Sequence, residues 1–272
     1  CVITNIGTCH LENLGDRDGV LKAKTEIFQS MKPNGHIVLN GDDDKLITVR
    51  EYNGVKPVFF GLNSERDVYA DQIESKGLKG VACRIHLGED AFDVLVPTPG
   101  IHMVYNALAA AAVGRIYGLT IEEIRRGIES LETIRGRFKM IETDKFLVVD
   151  DCYNANPMSM KASLDVLHDG EGRRVAILGD MGELGEDEAA LHEGVGIHAA
   201  TCGIDACVCV GDLAVHIAEA ARKANPDFPV YYEKTRESLL EHLNDYVQKG
   251  DTILVKASHF MKFEEVVKAL EE

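Results

Sequence analysis

Five short apolar runs in the second half of the chain restrict its fold more than any other feature: "FLVVDD", "RRVAILGD", "DACVCVG", "PVYYE" and "TILVKAS". They are continuous, not alternating, and rich in Val, Ile and Leu. Strands that read this way are buried on both faces. Stretches with helical spacing separate them, at 157–168, 186–201, 212–224 and 235–248, and a final helix follows the last run. Strand and helix in strict alternation require crossover connections, so this half is expected to be a five-strand parallel, Rossmann-like domain.

The first half repeats the rhythm less regularly. "VITNI" reads as a strand, 18–31 as a helix and "HIVLN" as a strand; a short helix from about Asp43 to Tyr52 and the strand "PVFFGL" follow. This βαβαβ order implies α/β architecture with a doubly wound, mostly parallel sheet. Residues 67–97 read as shorter strands with turn signals, an antiparallel extension. An Ala-rich helix, "YNALAAAAVGRIYG", comes next, then "TIEEIRRGIESL", with Thr120 as N-cap and Glu123 at the capping-box spacing. The stretch "ETIRGRFKMIE" separates the halves, giving expected domains of 1–136 and 137–272.

Net charge is −16, from 45 acidic and 29 basic residues, which argues against nucleic acid or an anionic membrane as partner. The seven cysteines form no C-x-x-C pair and several lie in apolar runs, as expected of reduced thiols in the cytoplasm. No run is apolar enough for a membrane span, and no signal peptide is visible. Nothing specifies an oligomer, so a monomer is favoured. The opening "CVITNIG" lacks an initiator Met and begins inside a strand pattern, so the chain is expected to be a piece of a longer protein.

Ligands of open parallel sheets bind beyond the carboxyl ends of the strands. Those ends read "NIGTCHLE", "LNGDDD", "VVDDCYNANP", "ILGDMGELG", "CVGD" and "VKASH". Such Asp, Asn, His and Lys residues suit ligand contacts, although Asx-rich turns use the same residues. One lysine stands out. On a wheel at about 100° per residue, Val20, Ile27 and Met31 align, flanked by Ala23, Leu21 and Phe28, with Lys24 amid that apolar face. Either its stem packs while its ammonium reaches water, or it points into a site where it is neutralised or modified, with His10 as the nearest candidate partner.

Taken in order, "NIGTCHLENLGDRDGVLKAKTEIF", "LNGDDD", "GIHMVYNALAAAAVGRIYGL", "IRGRF", "VVDDCYNANPMSM", "ILGDMGELG" and "LVKASHFMKFEE" resemble consecutive blocks of the Mur ligases, over nearly the whole chain. "YNANP" and "GDMGELG" are similar to the branch that joins D-alanyl-D-alanine to UDP-N-acetylmuramoyl-tripeptide. That resemblance implies part of a central ATPase-like domain followed by the C-terminal domain. It also implies ATP-dependent amide formation in peptidoglycan synthesis through an acyl phosphate, with Mg²⁺ answering the repulsion between anions. It implies His10 as a Mg²⁺ ligand and Lys24 as a carbamylated lysine supporting a second Mg²⁺. Asn40, Asp42 and Arg137 are implied on the nucleotide. Asp151, Tyr153, Asn154 and Asn156 resemble the edge that meets ATP and the dipeptide, with Lys256, Ser258 and His259 expected at the same cleft. Many relatives carry an arginine near His259, and an asparagine is frequent where Met103 stands. Asp180, Glu183 and His192 suit a site or the fixing of a loop equally.

The family's G-x-x-x-x-G-K-[ST] phosphate loop does not occur in this sequence, and the chain alone is expected to be inactive. Within the family, a diaminopimelate-adding enzyme is expected to show Asp-Asn-Pro-Arg, which is absent, and a folylpolyglutamate synthase would lack "YNANP". A dinucleotide oxidoreductase is disfavoured because no G-x-G-x-x-G follows a strand. A non-catalytic nucleotide-binding module remains the alternative from another class.

Overall fold

The computed structural model describes residues 1–7 and 14–272. Its contacts divide the chain into two compact units, Cys1–Glu132 and Thr133–Glu272.

In the first unit the described strands form one six-stranded sheet in chain order: β1 (Val2–Ile3), β2 (Val38–Asn40), β3 (Val58–Gly61), β4 (Val68–Ser75), β5 (Val81–Leu87) and β6 (Asp90–Val96). Neighbours from β1 to β4 are parallel, while β4, β5 and β6 form an antiparallel meander. The burial of β5 alternates strictly between buried and half-buried residues, as a sheet with one covered face requires. Helix α1 (Arg17–Thr25) lies between β1 and β2; α2 (Ile101–Ile116) and α3 (Ile121–Glu129) follow β6. Val104, Leu108, Ala111 and Ala112 of α2 pack with Phe60, Ile85 and Val96 of the sheet in one core cluster. The capping box on α3 forms as its sequence requires: Glu123 N–H donates to the Thr120 hydroxyl at 3.3 Å, and Thr120 N–H donates to the Glu123 carboxylate at 2.8 Å.

Two local expectations change here. The stretch 18–31 is not one helix, because after Thr25 it tightens into a 3₁₀ helix over Glu26–Ser30. A single α-helical wheel therefore misplaces its far end: Val20 and Phe28 are buried, Ile27 is 51% exposed and Lys24 is exposed. Nor does a helix span Asp43–Tyr52. Only a short 3₁₀ turn forms at Leu46–Thr48, because the Asp43 carboxylate takes the backbone N–H groups of Lys45 and Leu46, and Tyr52 pairs with Val55.

The second unit holds the expected parallel series, β8 (Leu147–Asp150), β9 (Arg174–Gly179), β10 (Ala206–Val210), β11 (Val230–Glu233) and β12 (Thr252–Lys256), in the order β11-β10-β9-β12-β8. Strand β7 (Lys139–Glu142) adds an antiparallel edge beside β8, where the sequence reads as linker. Helices α4 (Pro157–His168), α5 (Glu188–Thr201), α6 (Ala214–Ala224), α7 (Arg236–Tyr246) and α8 (Glu264–Glu271) complete it. All five residues of β10 and of β12 are buried, as their unbroken apolar runs demand. Strand order reverses between β9 and β12, so the carboxyl ends of β8, β9 and β12 lie on the edge where this topology gathers ligand contacts.

Candidate functional site

The carboxyl edge of the second unit is organised by two consecutive aspartates at the end of β8. Asp151 Oδ2 accepts from the Lys256 ammonium at 2.6 Å and from the Ser163 hydroxyl at 2.7 Å, and Oδ1 accepts from Phe138 N–H at 3.2 Å. Lys256 is only 2% exposed, and it also donates to the Asn154 carbonyl at 3.1 Å. A buried ammonium needs a counter-charge and further acceptors, and both are provided. Asp150 accepts from Gly136 N–H at 2.8 Å and from the Cys152 thiol at 3.0 Å. Burial, reinforced by the Asp150 carboxylate, pushes the Cys152 thiol far above the usual range, so it stays protonated and donates.

These bonds hold a strained segment. Gly136 has φ +76° and Phe138 has φ +54°, a left-handed conformation that a bulky residue seldom adopts. Asp150 and Asp151 grip the N–H groups on either side of Arg137, whose guanidinium lies 4.1 Å from the centroid of the Tyr153 ring. The His259 ring meets Tyr153 from elsewhere, 5.7 Å between centroids, and Tyr153 is 49% exposed. Beside this stack, a cavity of about 170 Å³ is lined by Arg135, Asp150, Cys152, Tyr153, His259 and Glu264.

The remaining candidates divide by occupation. Asn156 caps α4: its side chain accepts from Ser159 N–H at 2.9 Å and its own N–H donates to the Ser159 hydroxyl at 3.1 Å. The Ser258 hydroxyl accepts from Gly182 N–H at 2.9 Å, fastening the β9 loop to the end of β12. Asp180 accepts from the N–H groups of Leu213 and Ala214 at the start of α6. Burial raises its carboxyl above the ordinary range against the pull of those bonds. His192 is fully buried and held low by burial; its Nε2 accepts from Met181 N–H at 2.9 Å while Nδ1 faces the Glu188 carbonyl at 2.7 Å. That geometry fixes one neutral tautomer, so His192 and Asp180 hold loops.

In the first unit the candidates grip the segment that follows β1. Asn40 Nδ2 donates to the Thr4 carbonyl at 3.0 Å, Lys24 Nζ to the Asn5 carbonyl at 2.9 Å, and Arg17 Nε to the Ile6 carbonyl at 2.9 Å. Asp43 accepts from Ile6 N–H at 2.7 Å. Asp42 accepts from Leu62 N–H at 2.5 Å, Arg66 Nε at 3.0 Å and the Tyr105 hydroxyl at 3.1 Å. Burial first, then the Asp42 charge, pushes the Tyr105 phenol up to about 12. Lys24 is thus not the buried lysine that its wheel position implies. His10 lies outside the described residues. Among the described residues no three His, Cys, Asp or Glu side chains converge as a metal site. Lys24 presents a hydrogen-bonded ammonium, which cannot ligate a cation. The described residues alone therefore do not fit Mg²⁺.

Residues 1–114 match the Mur ligase middle domain, and residues 136–259 match the family described as Mur ligase, glutamate ligase domain. The chain belongs to the Mur ligase family. It is 35% identical, over its whole length, to the UDP-N-acetylmuramoyl-tripeptide–D-alanyl-D-alanine ligase of Bacillus subtilis, of which it spans 59%. The crystal structure of MurF from Acinetobacter baumannii superposes with a TM-score of 0.88 at 32% identity, covering 99% of this chain and 59% of that one. MurF from Thermotoga maritima, solved in complex with ADP, gives 0.83 at 27% identity, over 99% of this chain and 61% of that one.

Sequence reasoning passed over Asp150, Ser163, Arg66 and Tyr105. Asp150 reads as the last residue of a strand and Ser163 as a helix residue; only the fold brings Ser163 to Asp151 across 12 positions. Phe260 reads as one more apolar residue in "KASHFMKFEE", yet it is 61% exposed.

Proposed function

We propose that a protein carrying this chain, together with the remaining length of its relatives, joins D-alanyl-D-alanine to UDP-N-acetylmuramoyl-tripeptide at the expense of ATP, in the cytoplasm, acting as a monomer. The observation that carries this reading is the likeness to the Bacillus subtilis ligase so named, which extends over 100% of the chain at 35% identity. The domains of this reading are 1–136, part of the ATP-binding domain, and 137–272, the C-terminal domain. ATP would activate the tripeptide carboxylate as an acyl phosphate; the dipeptide amine displaces phosphate and the amide forms.

In the second unit, Arg137 stacked on Tyr153 offers a planar cation and an aromatic face, which suits a nucleotide. Asp151 serves there by holding Lys256. An ammonium has three N–H donors, and the Lys256 contacts to Asp151 and Asn154 use two, so the third suits a substrate oxygen. Asn154 and Ser258 border the same edge; Asn156 contributes by starting α4. In the first unit, Asn40 and Asp42 shape the loop assigned to the nucleotide. The family resemblance is what points to Lys24 and His10 for Mg²⁺; Lys24 would serve there only as a carbamate, since its ammonium cannot ligate a cation.

The test is a ligation assay on the longer protein with tripeptide, dipeptide, ATP and Mg²⁺. The expected products are the pentapeptide nucleotide and one phosphate per amide formed, with no product from this 272-residue chain alone. Turnover of L-amino acids or diaminopimelate with none of D-alanyl-D-alanine would overturn the reading.

A further inference from the structure

The carboxyl edge of the second unit carries an exposed aromatic side chain that none of the roles above uses. Phe260 sits in a short 3₁₀ turn, His259–Met261, directly after the buried run that ends in Lys256, Ala257 and Ser258. It is 61% exposed, although Phe is among the residues most often buried. Its ring is seated against the backbone of Gly182: a Cβ built at that glycine would lie 3.0 Å from Phe260 Cε1. Gly182 is held in turn by its N–H bond to Ser258 Oγ at 2.9 Å. The neighbouring residue, His259, rests on Tyr153. His259 and Phe260 thus follow β12 at the same carboxyl edge, three and four residues after Lys256, with the Phe260 ring against Gly182 and the His259 ring against Tyr153.

An edge that carries both a buried ammonium, at Lys256, and an exposed apolar ring anchored on backbone, at Phe260, suits a small ligand with both charge and a short apolar side chain. Covering the exposed ring with an apolar group is favoured over leaving it to water. We propose that Phe260 is a specificity-determining residue that contacts a methyl side chain of the incoming D,D-dipeptide. This rests on the ligase reading given above. The chemistry sets the size of the effect: one methyl group in an apolar contact discriminates about 10–200-fold.

The test compares kcat/KM for D-alanyl-D-alanine with D-alanyl-glycine and glycyl-D-alanine in the longer protein, for the natural sequence, Phe260→Ala and Phe260→Leu. Phe260→Ala is expected to reduce the preference for D-alanyl-D-alanine over one of the glycine dipeptides at least about fivefold, leaving KM for ATP unchanged, and Phe260→Leu to retain most of it. Gly182→Ala gives a second handle, because its Cβ pushes the ring aside without removing it, and a smaller loss of the same preference is expected. Unchanged dipeptide ratios in both Phe260→Ala and Gly182→Ala overturn the assignment while leaving the ligase reading intact. A loss that falls equally on ATP and all dipeptides overturns it too, since that pattern marks general disorder of the edge. Failure of the natural protein to ligate any of these dipeptides overturns the ligase reading and this assignment together.

Discussion

In each unit consecutive acidic residues lie at the carboxyl end of a parallel strand, after Asn40 and Gly41 in the first and from Asp150 in the second, and the two loops use them differently. After β2, Asp42 and Asp43 are occupied largely by backbone N–H groups, from Leu62, Ile6, Lys45 and Leu46. After β8, Asp151 shares one oxygen between the buried Lys256 ammonium and the Ser163 hydroxyl. The first arrangement fixes a loop and leaves little charge unspent. The second makes a carboxylate and an ammonium depend on each other in a place with little water, so whatever one of them meets is felt by the other. The two lysines follow the same division, Lys24 exposed on a carbonyl and Lys256 buried on a carboxylate.

That contrast breaks most easily at the lysines. Lys256→Met keeps the stem and strands Asp151, and removing one partner of a buried pair costs about 3–5 kcal/mol. Lys24→Met removes one hydrogen bond at the surface and is expected to stay within about 0.5 kcal/mol. Denaturant unfolding of both variants measures the gap, and adding Asp151→Asn to Lys256→Met should recover part of the loss. Equal costs for the two lysines would dissolve the distinction between the edges.

The parallel strands of the second unit were legible because burial on both faces leaves unbroken apolar runs; that Lys256, the last residue of β12, is itself buried emerged only with the fold. The wheel instead drew attention to Lys24, by assuming one helix where the backbone tightens after Thr25. Strand β7 was hidden because "KMIE" is short, carries Lys and Glu, and gains its pairing only from β8. Arg137, Asp151, Tyr153, Asn154 and Lys256 are brought together as a cluster, while Ser163, Asp150 and Phe260 act through contacts that depend on long-range packing, which no local pattern encodes. Asn156 shows the limit of motif reading, since the same residue that belongs to "YNANP" is spent on starting a helix.

The first edge is sharpened by Asp42→Asn. The amide keeps one acceptor but turns a donor toward Leu62 N–H, Arg66 or the Tyr105 hydroxyl, leaving a half-buried group unmatched at a cost of about 1–3 kcal/mol. Tyr105 reports it directly. Its phenol, at about 12, is raised first by burial and second by Asp42, so the variant should titrate lower but still above the ordinary value. The shift is read from phenolate absorbance against a Tyr105→Phe control. Because the folded value is raised, the stability this phenol contributes is whole below its ordinary range near 10 and is lost as pH climbs toward 12. Asp42→Asn should narrow that alkaline window. A Tyr105 titration that ignores the substitution would mean that Asp42 is not the fixture described.

Glu233 supplies the smallest and most discriminating case, because it ends a strand of the second unit yet resembles the first unit's loops. Burial pulls its carboxyl up, but hydrogen bonds from Ser238, Tyr246 and His242 outweigh that and hold it below the usual range. Ser238, His242 and Tyr246 lie four residues apart on α7, so one carboxylate fastens a whole helical face to the edge strand β11. A lowered carboxyl contributes stability that is present above its ordinary range and is lost as pH falls through its folded value. Glu233→Gln should therefore cost about 1 kcal/mol at neutral pH, and the difference from the natural chain should shrink on acidification. Asp151, by contrast, is bound to a cation, so Asp151→Asn removes a charge on which Lys256 depends and should perturb Lys256 itself, seen in the NMR signal of its ammonium. If Glu233→Gln moved that signal as strongly, the separation between carboxylates that fix structure and the one that holds the buried ammonium would fail, since Glu233 bonds to Ser238, His242 and Tyr246 while Lys256 bonds to Asp151.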